Sequence, residues 1–344
     1  MDSQLSISLR SFDRSIEQAY FNLFGMGSGE GELLDWRFRA NPHGEAKFAV
    51  ATRGERVVGM IALIPTHLAG VESGALGYQA IDTIVDPSCR GQGLFVKLGS
   101  FVQDQALAGA ALVWGFPNAN AARGWYGRLG WSNFGAAPLL MRPLRSAFLL
   151  GKLHPKLRSI DVRLVRGRNV QREVYTDGQQ LSADFDHLWR RVAGDFGIGV
   201  DRSGEWMRWR LFDKPGADYR CVGLKSDVGE LEAFVAVRIA DKHGGRLCYV
   251  MEAMCSPRHR RDLARLLLAE LSRAARHGAE VALAWCPKSA PNYAAFREAG
   301  FVPVPPRLRP IEINFGARAL HQRYAAAAAN GASWYVSFLD SDTN

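Results

Sequence analysis

The stretch from Asp82 to Leu94 has the residue types and spacing of a phosphate-binding turn. A strand predicted over residues 77–85 ends in a turn at Pro87, and Arg90-Gly91-Gln92-Gly93 then opens a predicted helix. The first amide hydrogens of a helix have no intrahelical acceptor and carry partial positive charge, so they bind anions. Glycine lets the backbone approach a phosphate closely, and Arg90 adds a charged donor. These residues predict a site for a phosphorylated ligand.

A second motif follows downstream, where Phe116-Pro117-Asn118 precedes Trp125-Tyr126-Gly127-Arg128-Leu129-Gly130-Trp131. The two motifs together resemble those of the GNAT N-acetyltransferase superfamily, over roughly Phe48 to Phe134. The resemblance implies that one strand separates from its neighbour, that the pantetheine arm of an acyl-coenzyme A enters the gap, and that the loop amides hold the pyrophosphate. The expected co-substrate is therefore acetyl-CoA or another acyl-CoA, without a metal.

The resemblance also assigns individual residues to the acyl-CoA site. Ile84 and Val85 are expected to face pantetheine, and Asn118 either hydrogen-bonds pantetheine or caps a helix. The residues expected to form the pyrophosphate loop are Arg90, Gly91, Gln92, Gly93 and Leu94. Phe95 stands where the family usually has a final glycine or alanine, and we expect it to reshape the pocket entrance.

Asp82 and Tyr126 are the candidate catalytic residues. Acyl transfer to an amine needs a neutral amine, a polarised thioester carbonyl and a protonated leaving thiolate. Asp82 lies just before the loop, so it could accept a proton, often through water, or hold the substrate's ammonium; an exposed salt bridge is the alternative. The resemblance implies that Tyr126 protonates the thiolate, and a core aromatic is the alternative. The corresponding residues later in the chain are Glu252 and Phe296.

The chain contains an internal repeat. Pro87, Pro117 and Gly130 recur 170 residues later. The recurring residues are Pro257, Pro287 and Gly300. Earlier matches lie 172 or 173 residues apart, and they are Phe24–Gly27 with Phe196–Gly199 and Trp36–Phe38 with Trp209–Leu211. Each copy is predicted to have a helix, short paired strands, an amphipathic helix, a buried strand and a second helix. The buried strand is expected at residues 111–116 in the first copy and at residues 281–285 in the second.

The fold class expected is α+β, with two tandem GNAT domains, each a mixed, mostly antiparallel sheet flanked by helices. Residues 1–165 are expected to form the domain with the intact acyl-CoA loop, and residues 166–344 a degenerate copy. The second copy reads Arg260-Arg261-Asp262-Leu263 where the first has the glycine loop. Because both glycines are replaced and an acid stands at the anion position, we expect no CoA there. Its role is structural or substrate-facing.

Composition narrows the function classes. The 344 residues and the apolar fraction of 47% are typical of two globular domains. The five cysteines form no CxxC pair, so neither a disulfide framework nor a zinc site is predicted. No apolar run approaches the roughly 20 residues that span a bilayer, and Met1 to Arg10 has no charged-then-apolar leader, so we expect a cytoplasmic protein without membrane insertion.

The net charge of +9 favours anionic partners, which could be nucleic acid, an anionic membrane or a phosphorylated small molecule. No nucleic-acid-binding motif accompanies the arginines between Arg158 and Arg172, which we interpret as a solvated basic connector. The predicted function is acyl-CoA-dependent N-acylation of a primary amine by direct attack in a ternary complex. A protein or peptide acetyltransferase and a non-catalytic ligand-binding module are the alternatives.

A narrower resemblance concerns the acceptor. The run from Asp82-Thr83 to the glycine loop, with Phe116-Pro117-Asn118 and Leu129-Gly130-Trp131, is similar to tandem GNAT proteins of bacterial surface-polysaccharide clusters. That resemblance implies a small-molecule amine acceptor, such as a nucleotide-linked amino sugar. The sequence makes no prediction of oligomeric state.

Overall fold

The computed structural model of the protein describes residues 4–26, 28–167, 170–242, 244–305, 307, 309 and 313–341. The chain divides into two compact units. Unit 1 consists of residues 1–137 and 310–333, and unit 2 consists of residues 138–309 and 334–344. Each unit therefore combines segments that are distant in sequence.

Unit 1 contains a mixed sheet flanked by helices. Its strands are β1 (Leu5–Ser11), β2 (Lys47–Arg53), β3 (Arg56–Ala69), β4 (Leu76–Val85), β5 (Leu112–Gly115), β6 (Ser132–Ala136) and β15 (Asn314–Ala319). Its helices are α1 (Arg14–Phe24), α2 (Gly31–Phe38), α3 (Leu94–Phe101), α4 (Ala119–Gly127) and α10 (Ala325–Ala329). The strands lie in the order β1-β2-β3-β4-β5-β15-β6. The β4–β5 pair is parallel, and the other neighbours are antiparallel.

The sheet of unit 1 is covered on both faces. Successive side chains of a strand point to opposite faces, so Phe48 and Val50 of β2 cluster with α1 and α2. Ala49 and Ala51 instead cluster with the apolar residues of α3 and α4 on the other face. The helix that starts at Leu94 continues beyond α3 as a turn of π-helix over Val102–Ala106.

Unit 2 repeats this plan. Its strands are β7 (Leu139–Pro143), β8 (Glu173–Tyr175), β9 (Ile198–Val200), β10 (Arg220–Lys225), β11 (Leu231–Lys242), β12 (Gly245–Cys255), β13 (Val281–Trp285), β14 (Val302–Pro303) and β16 (Trp334–Tyr335). Its helices are α5 (Ser146–Leu153), α6 (Gly178–Val192), α7 (Gly204–Leu211), α8 (Arg260–Arg276) and α9 (Tyr293–Glu298). The main sheet has the order β14-β7-β13-β12-β11-β10-β8, with β12 and β13 parallel, and β16 pairs with β9.

The two sheets exchange one strand each. β15 follows most of unit 2 in sequence, yet it pairs with β5 and β6 of unit 1. β7 directly follows unit 1 in sequence, yet it pairs with β13 and β14 of unit 2. The compact units therefore do not coincide with the contiguous division expected at residue 165. Each strand joins the sheet whose unpaired backbone groups it satisfies, and local sequence does not specify that partner.

All five cysteines are buried and carry free thiols. Among the described residues, no helix has the length and apolar character required to cross a membrane.

Candidate functional site

In unit 1 the parallel strands β4 and β5 pair over a short stretch and then separate. The paired residues run from Gly77 with Leu112 to Gln79 with Trp114. A Cβ at Gly115 would lie 2.7 Å from the carbonyl oxygen of Ala80, so only glycine allows this close approach. Within the described residues, β4 continues beyond Gln79 without pairing with β5. This gap is where an extended ligand could hydrogen-bond to the strand.

Ile84 and Val85 form the end of β4 along the gap. On their other edge they pair with Met60 and Gly59 of β3. Both side chains are partly buried, with Ile84 packed on the face of α1 and α2 and Val85 on the face of α3. The two residues predicted to face pantetheine therefore point to opposite faces of the sheet, because they are neighbours on one strand.

The loop between β4 and α3 has the backbone of an anion site. Gly91 and Gly93 adopt left-handed conformations, with φ of 77° and 73°, and a Cβ at either position would meet no atom within 4 Å. Gly93 is the N-cap residue of α3, and it has no side chain that could cap the helix amides. Arg90 is exposed and donates from Nε to the carbonyl oxygen of Val85 at 3.2 Å. Gln92 is also exposed, and its Nε2 lies 3.4 Å from Ser88 O.

Asp86 holds the turn that precedes this loop. Its carboxylate accepts hydrogen bonds from the hydroxyl of Ser88 at 2.6 Å and from the amide of Ser88 at 2.8 Å. It also pairs with Arg56 at 2.5 Å. The hydrogen bonds from Ser88 lower the pKa of Asp86, so the carboxylate remains charged and keeps the turn closed.

Leu94, Phe95 and Asn118 have structural contacts. Leu94 is buried in the core. The ring of Phe95 packs edge-on against Trp125, with centroids 5.3 Å apart, and occupies the space that a side chain at Gly124 would need. Phe95 therefore packs α3 against α4. Its effect on the pocket entrance stays a prediction. The side chain of Asn118 accepts from the amides of two residues of α4, which is the helix-capping alternative that the sequence indicated.

Tyr126 lies beside the point where β4 and β5 separate. Its ring lies against Gly316 of β15, where a Cβ would be 3.1 Å from the hydroxyl oxygen, and Gly316 pairs with Gly115 of β5. The hydroxyl is buried and has no hydrogen-bond partner among the described residues. Such a group costs about 1–3 kcal/mol, so it indicates a functional site that a ligand would complete. Burial raises the pKa of Tyr126 above its ordinary value.

Asp82 lies at an irregularity of β4. The β3–β4 register shifts between Met60 and Ala62, and Asp82 has a φ of 45°, which a non-glycine residue rarely adopts. Its Oδ2 accepts from the hydroxyl of Tyr20 at 2.9 Å and pairs with Arg37 at 3.2 Å. The sequence analysis did not identify Tyr20 or Arg37 as site residues. The repeated Trp-Arg motif at residues 36–37 was the signal that could have drawn attention to Arg37.

The corresponding helix start in unit 2 differs from the glycine loop of unit 1. α8 begins at Arg260, directly after a 3₁₀ turn at Pro257–His259. Asp262 lies in its first turn and hydrogen-bonds to His259 at 3.0 Å. A carboxylate at this position already complements the helix dipole and repels a second anion.

The corresponding strand separation in unit 2 is filled by its own side chains. The parallel β12–β13 pairing ends at Val250 with Ala284. Beyond it, Nδ2 of Asn292 donates to the carbonyl oxygen of Ala253 at 2.5 Å and to the Tyr335 hydroxyl at 3.2 Å. These contacts occupy the edge of β12 that corresponds to the gap in unit 1.

Glu252 is the centre of a buried polar network in unit 2. It accepts from Tyr335 at 2.6 Å, from Ser337 at 2.9 Å and from Arg202 at 2.8 Å. Arg202 also pairs with Asp340 at 2.5 Å, and the side chains of both ion pairs are fully buried. Burial and the adjacent Glu252 raise the pKa of Tyr335, so its hydroxyl stays protonated as a donor. In unit 2 the carboxylate at this strand position stabilises the fold.

The sequence of unit 1 matches a known domain family. The sequence profile of the acetyltransferase (GNAT) domain matches residues 8–134. Residues 8–134 form a GNAT acetyltransferase domain. The predicted enzyme class, an acyl-CoA-dependent N-acyltransferase, is confirmed by this family. Among curated proteins, no sequence matches the chain.

Solved structures resemble both units of the chain. A probable N-acyltransferase from Enterococcus faecalis V583 has a TM-score of 0.59 and 13% identity, over 92% of this chain and 73% of that one. N-myristoyltransferase of Saccharomyces cerevisiae with bound myristoyl-CoA has a TM-score of 0.60 and 11% identity, over 91% and 78%. A tandem GNAT protein from the clavulanic acid biosynthesis pathway has a TM-score of 0.53 and 15% identity, over 92% and 99%. The predicted tandem GNAT fold is thereby confirmed.

Proposed function

We propose that unit 1 of this tandem GNAT protein binds an acyl-CoA, with acetyl-CoA as the simplest donor, and transfers the acyl group to a primary amine of a small molecule. The observation that carries the proposal is the contrast at the strand separation. The gap beside β4 leads to an open loop with two left-handed glycines, whereas Asn292 and Tyr335 occupy the corresponding edge in unit 2.

The donor would lie along β4 and end at the start of α3. Backbone groups of β4 between Ala80 and Val85 would pair with the amides of pantetheine. The amides around Gly91 and Gly93, with the helix dipole of α3, would hold the pyrophosphate, and Arg90 would add a charged contact. Phe95 and Asn118 would contribute by fixing α3 and α4.

Tyr126 would serve as the proton donor. In direct attack, the amine nitrogen forms a bond to the thioester carbon, the carbon–sulfur bond breaks, and the sulfur needs a proton. Because its pKa is raised, the Tyr126 hydroxyl stays protonated at neutral pH and can hydrogen-bond to the leaving thiolate and donate to it. The neutral amine nitrogen becomes positively charged as it bonds to the thioester carbon. It then releases a proton to solvent, and solvent returns a proton to the Tyr126 oxygen.

Asp82 would act on the acceptor as a binding and orienting group. The carboxylate of Asp82 already pairs with Arg37 and accepts from Tyr20, and these contacts hold it in one orientation. It can still attract the substrate's ammonium, which must lose a proton before attack. We therefore favour the anchoring role over the role of general base.

The acceptor that we favour is an amino sugar, either free or linked to a nucleotide. The net charge of +9 attracts a phosphorylated acceptor and repels a cationic peptide. The motif resemblance to tandem GNAT proteins of bacterial surface-polysaccharide clusters also favours an amino-sugar acceptor.

The test is to incubate the protein with acetyl-CoA and separate acceptors, and to measure free thiol and the acetyl mass shift of each acceptor. The acceptors are nucleotide-linked amino sugars, free amino sugars and lysine-containing peptides. We expect acetylated amino sugar and saturable thiol release. Acetylation of peptides alone would overturn the acceptor class. Absence of acetyl-CoA binding by titration calorimetry would overturn the donor site as well.

A further inference from the structure

Unit 2 carries exposed apolar side chains outside its sheet. They belong to residues 144–165, here called the 144–165 segment, which contains α5 and a 3₁₀ turn at Pro155–Ser159. The exposed large apolar residues are Leu149, Leu153, Leu157, Ile160, Val162 and Leu164. Leu153 and Val162 expose 77% and 60% of their surface. Single exposed apolar residues are ordinary, but such a concentration in one short segment marks an interaction surface.

The segment is ordered by its own hydrogen bonds. Leu164 N donates to Leu144 O and Ser146 N donates to Val162 O, each at 2.8 Å, so the chain returns beside its own start. The hydroxyl of Ser146 accepts from Val162 N at 2.7 Å. Leu144 and Val165, at the two ends, are buried. The apolar side chains are therefore displayed on a folded hairpin rather than on a loose connector.

The segment is also fastened to the body of unit 2. Arg145 donates to the carbonyl oxygen of Ala275 at 2.8 Å and pairs with Asp161 at 2.6 Å. Arg158 pairs with Glu280 at 2.5 Å. Arg145 holds the base of the hairpin and Arg158 holds its 3₁₀ turn, while the apolar side chains named above stay exposed.

The charge of the segment indicates what covers that face. Its sequence contains five basic residues and one acidic residue, Asp161, which Arg145 binds. Lys156, Arg158 and Arg163 are exposed among the apolar side chains. Apolar side chains beside lysine and arginine suit the boundary between the acyl chains and the headgroups of an anionic lipid leaflet.

We propose that the 144–165 segment docks unit 2 onto the surface of a bilayer that contains anionic lipids. Leu153 and Val162 enter the headgroup region, and Lys156 and Arg163 contact the lipid phosphates. The docking is peripheral and independent of the proposed acyl transfer. It revises the interpretation of this part of the chain as only a solvated connector.

The first test removes the apolar contribution. Full-length protein is sedimented with vesicles of phosphatidylcholine containing phosphatidylserine, and the double variant Leu153→Gln with Val162→Thr is compared with it. Burying one aliphatic side chain strengthens binding about tenfold or more, so we expect a loss of at least about tenfold. The matched control is Val228→Thr, since Val228 is 83% exposed at a turn elsewhere in unit 2. The control should bind like the wild type.

The second test removes the charge contribution. Each lysine or arginine near an anionic leaflet strengthens binding about fivefold, so Lys156→Gln with Arg163→Gln should weaken binding about twenty-fivefold. The double variant Arg246→Gln with Arg265→Gln changes exposed arginines elsewhere in unit 2 and should have little effect. Wild-type binding should also fall when phosphatidylserine is omitted or the salt concentration is raised.

Three results would overturn the proposal. One is equal sedimentation with pure phosphatidylcholine vesicles, and another is no sedimentation with either composition. The third is a wild-type dimer, seen by sedimentation velocity, that the apolar double variant dissociates, because the face would then contact a second copy. Unchanged melting temperatures and unchanged acetyl transfer to a soluble amine would show that the variants remain folded and that the two proposals are separable.

Discussion

Units 1 and 2 have the same strand plan and differ where their central parallel strands separate. In unit 1, β4 continues past Gln79 beside a buried tyrosine hydroxyl that has no partner among the described residues. In unit 2, Asn292 and Tyr335 hydrogen-bond at the corresponding edge. Both units have a gap where these strands separate, and in unit 2 the unit's own side chains fill it. A duplicated domain can thus fill a gap between strands with internal hydrogen bonds without changing its topology.

The carboxylates at the equivalent strand position show the same divergence. The side chain of Asp82 is 19% exposed and contacts Tyr20 of α1 and Arg37 of α2. The side chain of Glu252 is fully buried among Arg202, Tyr335 and Ser337. Since a buried charge must be paired, Glu252 is committed to the fold, whereas Asp82 can still face a ligand.

The largest expected difference between the two units is in the folding of separately expressed fragments of the chain. A fragment of residues 1–165 lacks β15, so the backbone groups of β5 and β6 would lose their partner and Tyr126 would lose its support at Gly316. We expect this fragment to be unfolded, whereas residues 138–344 contain every segment of unit 2 and should fold. Circular dichroism melting of the two fragments measures this. A cooperatively folded 1–165 fragment would favour contiguous domains.

A second prediction is that Glu252→Gln lowers the free energy of unfolding more than Asp82→Asn does. Glu252→Gln leaves Arg202 inadequately paired in the buried network and should lower the free energy of unfolding by about 3 kcal/mol. Asp82→Asn, at a partly exposed pair, should cost about 1 kcal/mol or less and instead weaken amine binding. Denaturant melts and the KM for the amine provide the measurements. Equal stability losses would mean that both carboxylates are structural.

A third prediction compares the two helix starts. Gly93→Asp introduces a like charge at the proposed pyrophosphate position, so acetyl-CoA affinity should fall more than about a hundredfold. Arg261→Asp, at an exposed position of the α8 start, is the control and should leave affinity unchanged. Leu263 aligns with Gly93 but is fully buried, so changing it would open a cavity. Calorimetric titration of each variant with acetyl-CoA measures this affinity. Equal losses of affinity in Gly93→Asp and Arg261→Asp would contradict a single donor site.

A fourth prediction concerns Tyr126 and its counterpart Phe296. Tyr126→Phe should lower kcat about a hundredfold, at the lower end of the range for a lost general acid, with little change in KM for acetyl-CoA. Because the unpartnered hydroxyl is removed, stability should be unchanged or slightly higher. Phe296→Leu serves as the control for a core aromatic and should lower stability with kcat preserved. If kcat is unchanged in Tyr126→Phe, Tyr126 is not the general acid and contributes only to packing.

Much of the local structure was predictable because apolar periodicity reports directly on strands and helices. The strands expected at residues 77–85 and 281–285 are β4 and β13, and the expected loop residues Gly91 and Gly93 adopt the left-handed backbone that glycine permits. β1 was not predicted. Tyr20 and Arg37 were also missed at Asp82, because they come from helices 45 and 62 residues away in sequence and no local pattern records that proximity.

The amino-acid sequence alone was enough to identify the duplication, the glycine loop and the loss of that loop in the second copy, because these depend on residue types at short spacing. It did not reveal that β7 and β15 change sheets, that Phe95 packs on α4, or that Tyr335 bonds to Glu252. Those features depend on which distant backbone and side-chain groups satisfy one another when the chain is folded. Hydrogen-bond and packing partners of that kind are specified by three-dimensional proximity and not by local spacing.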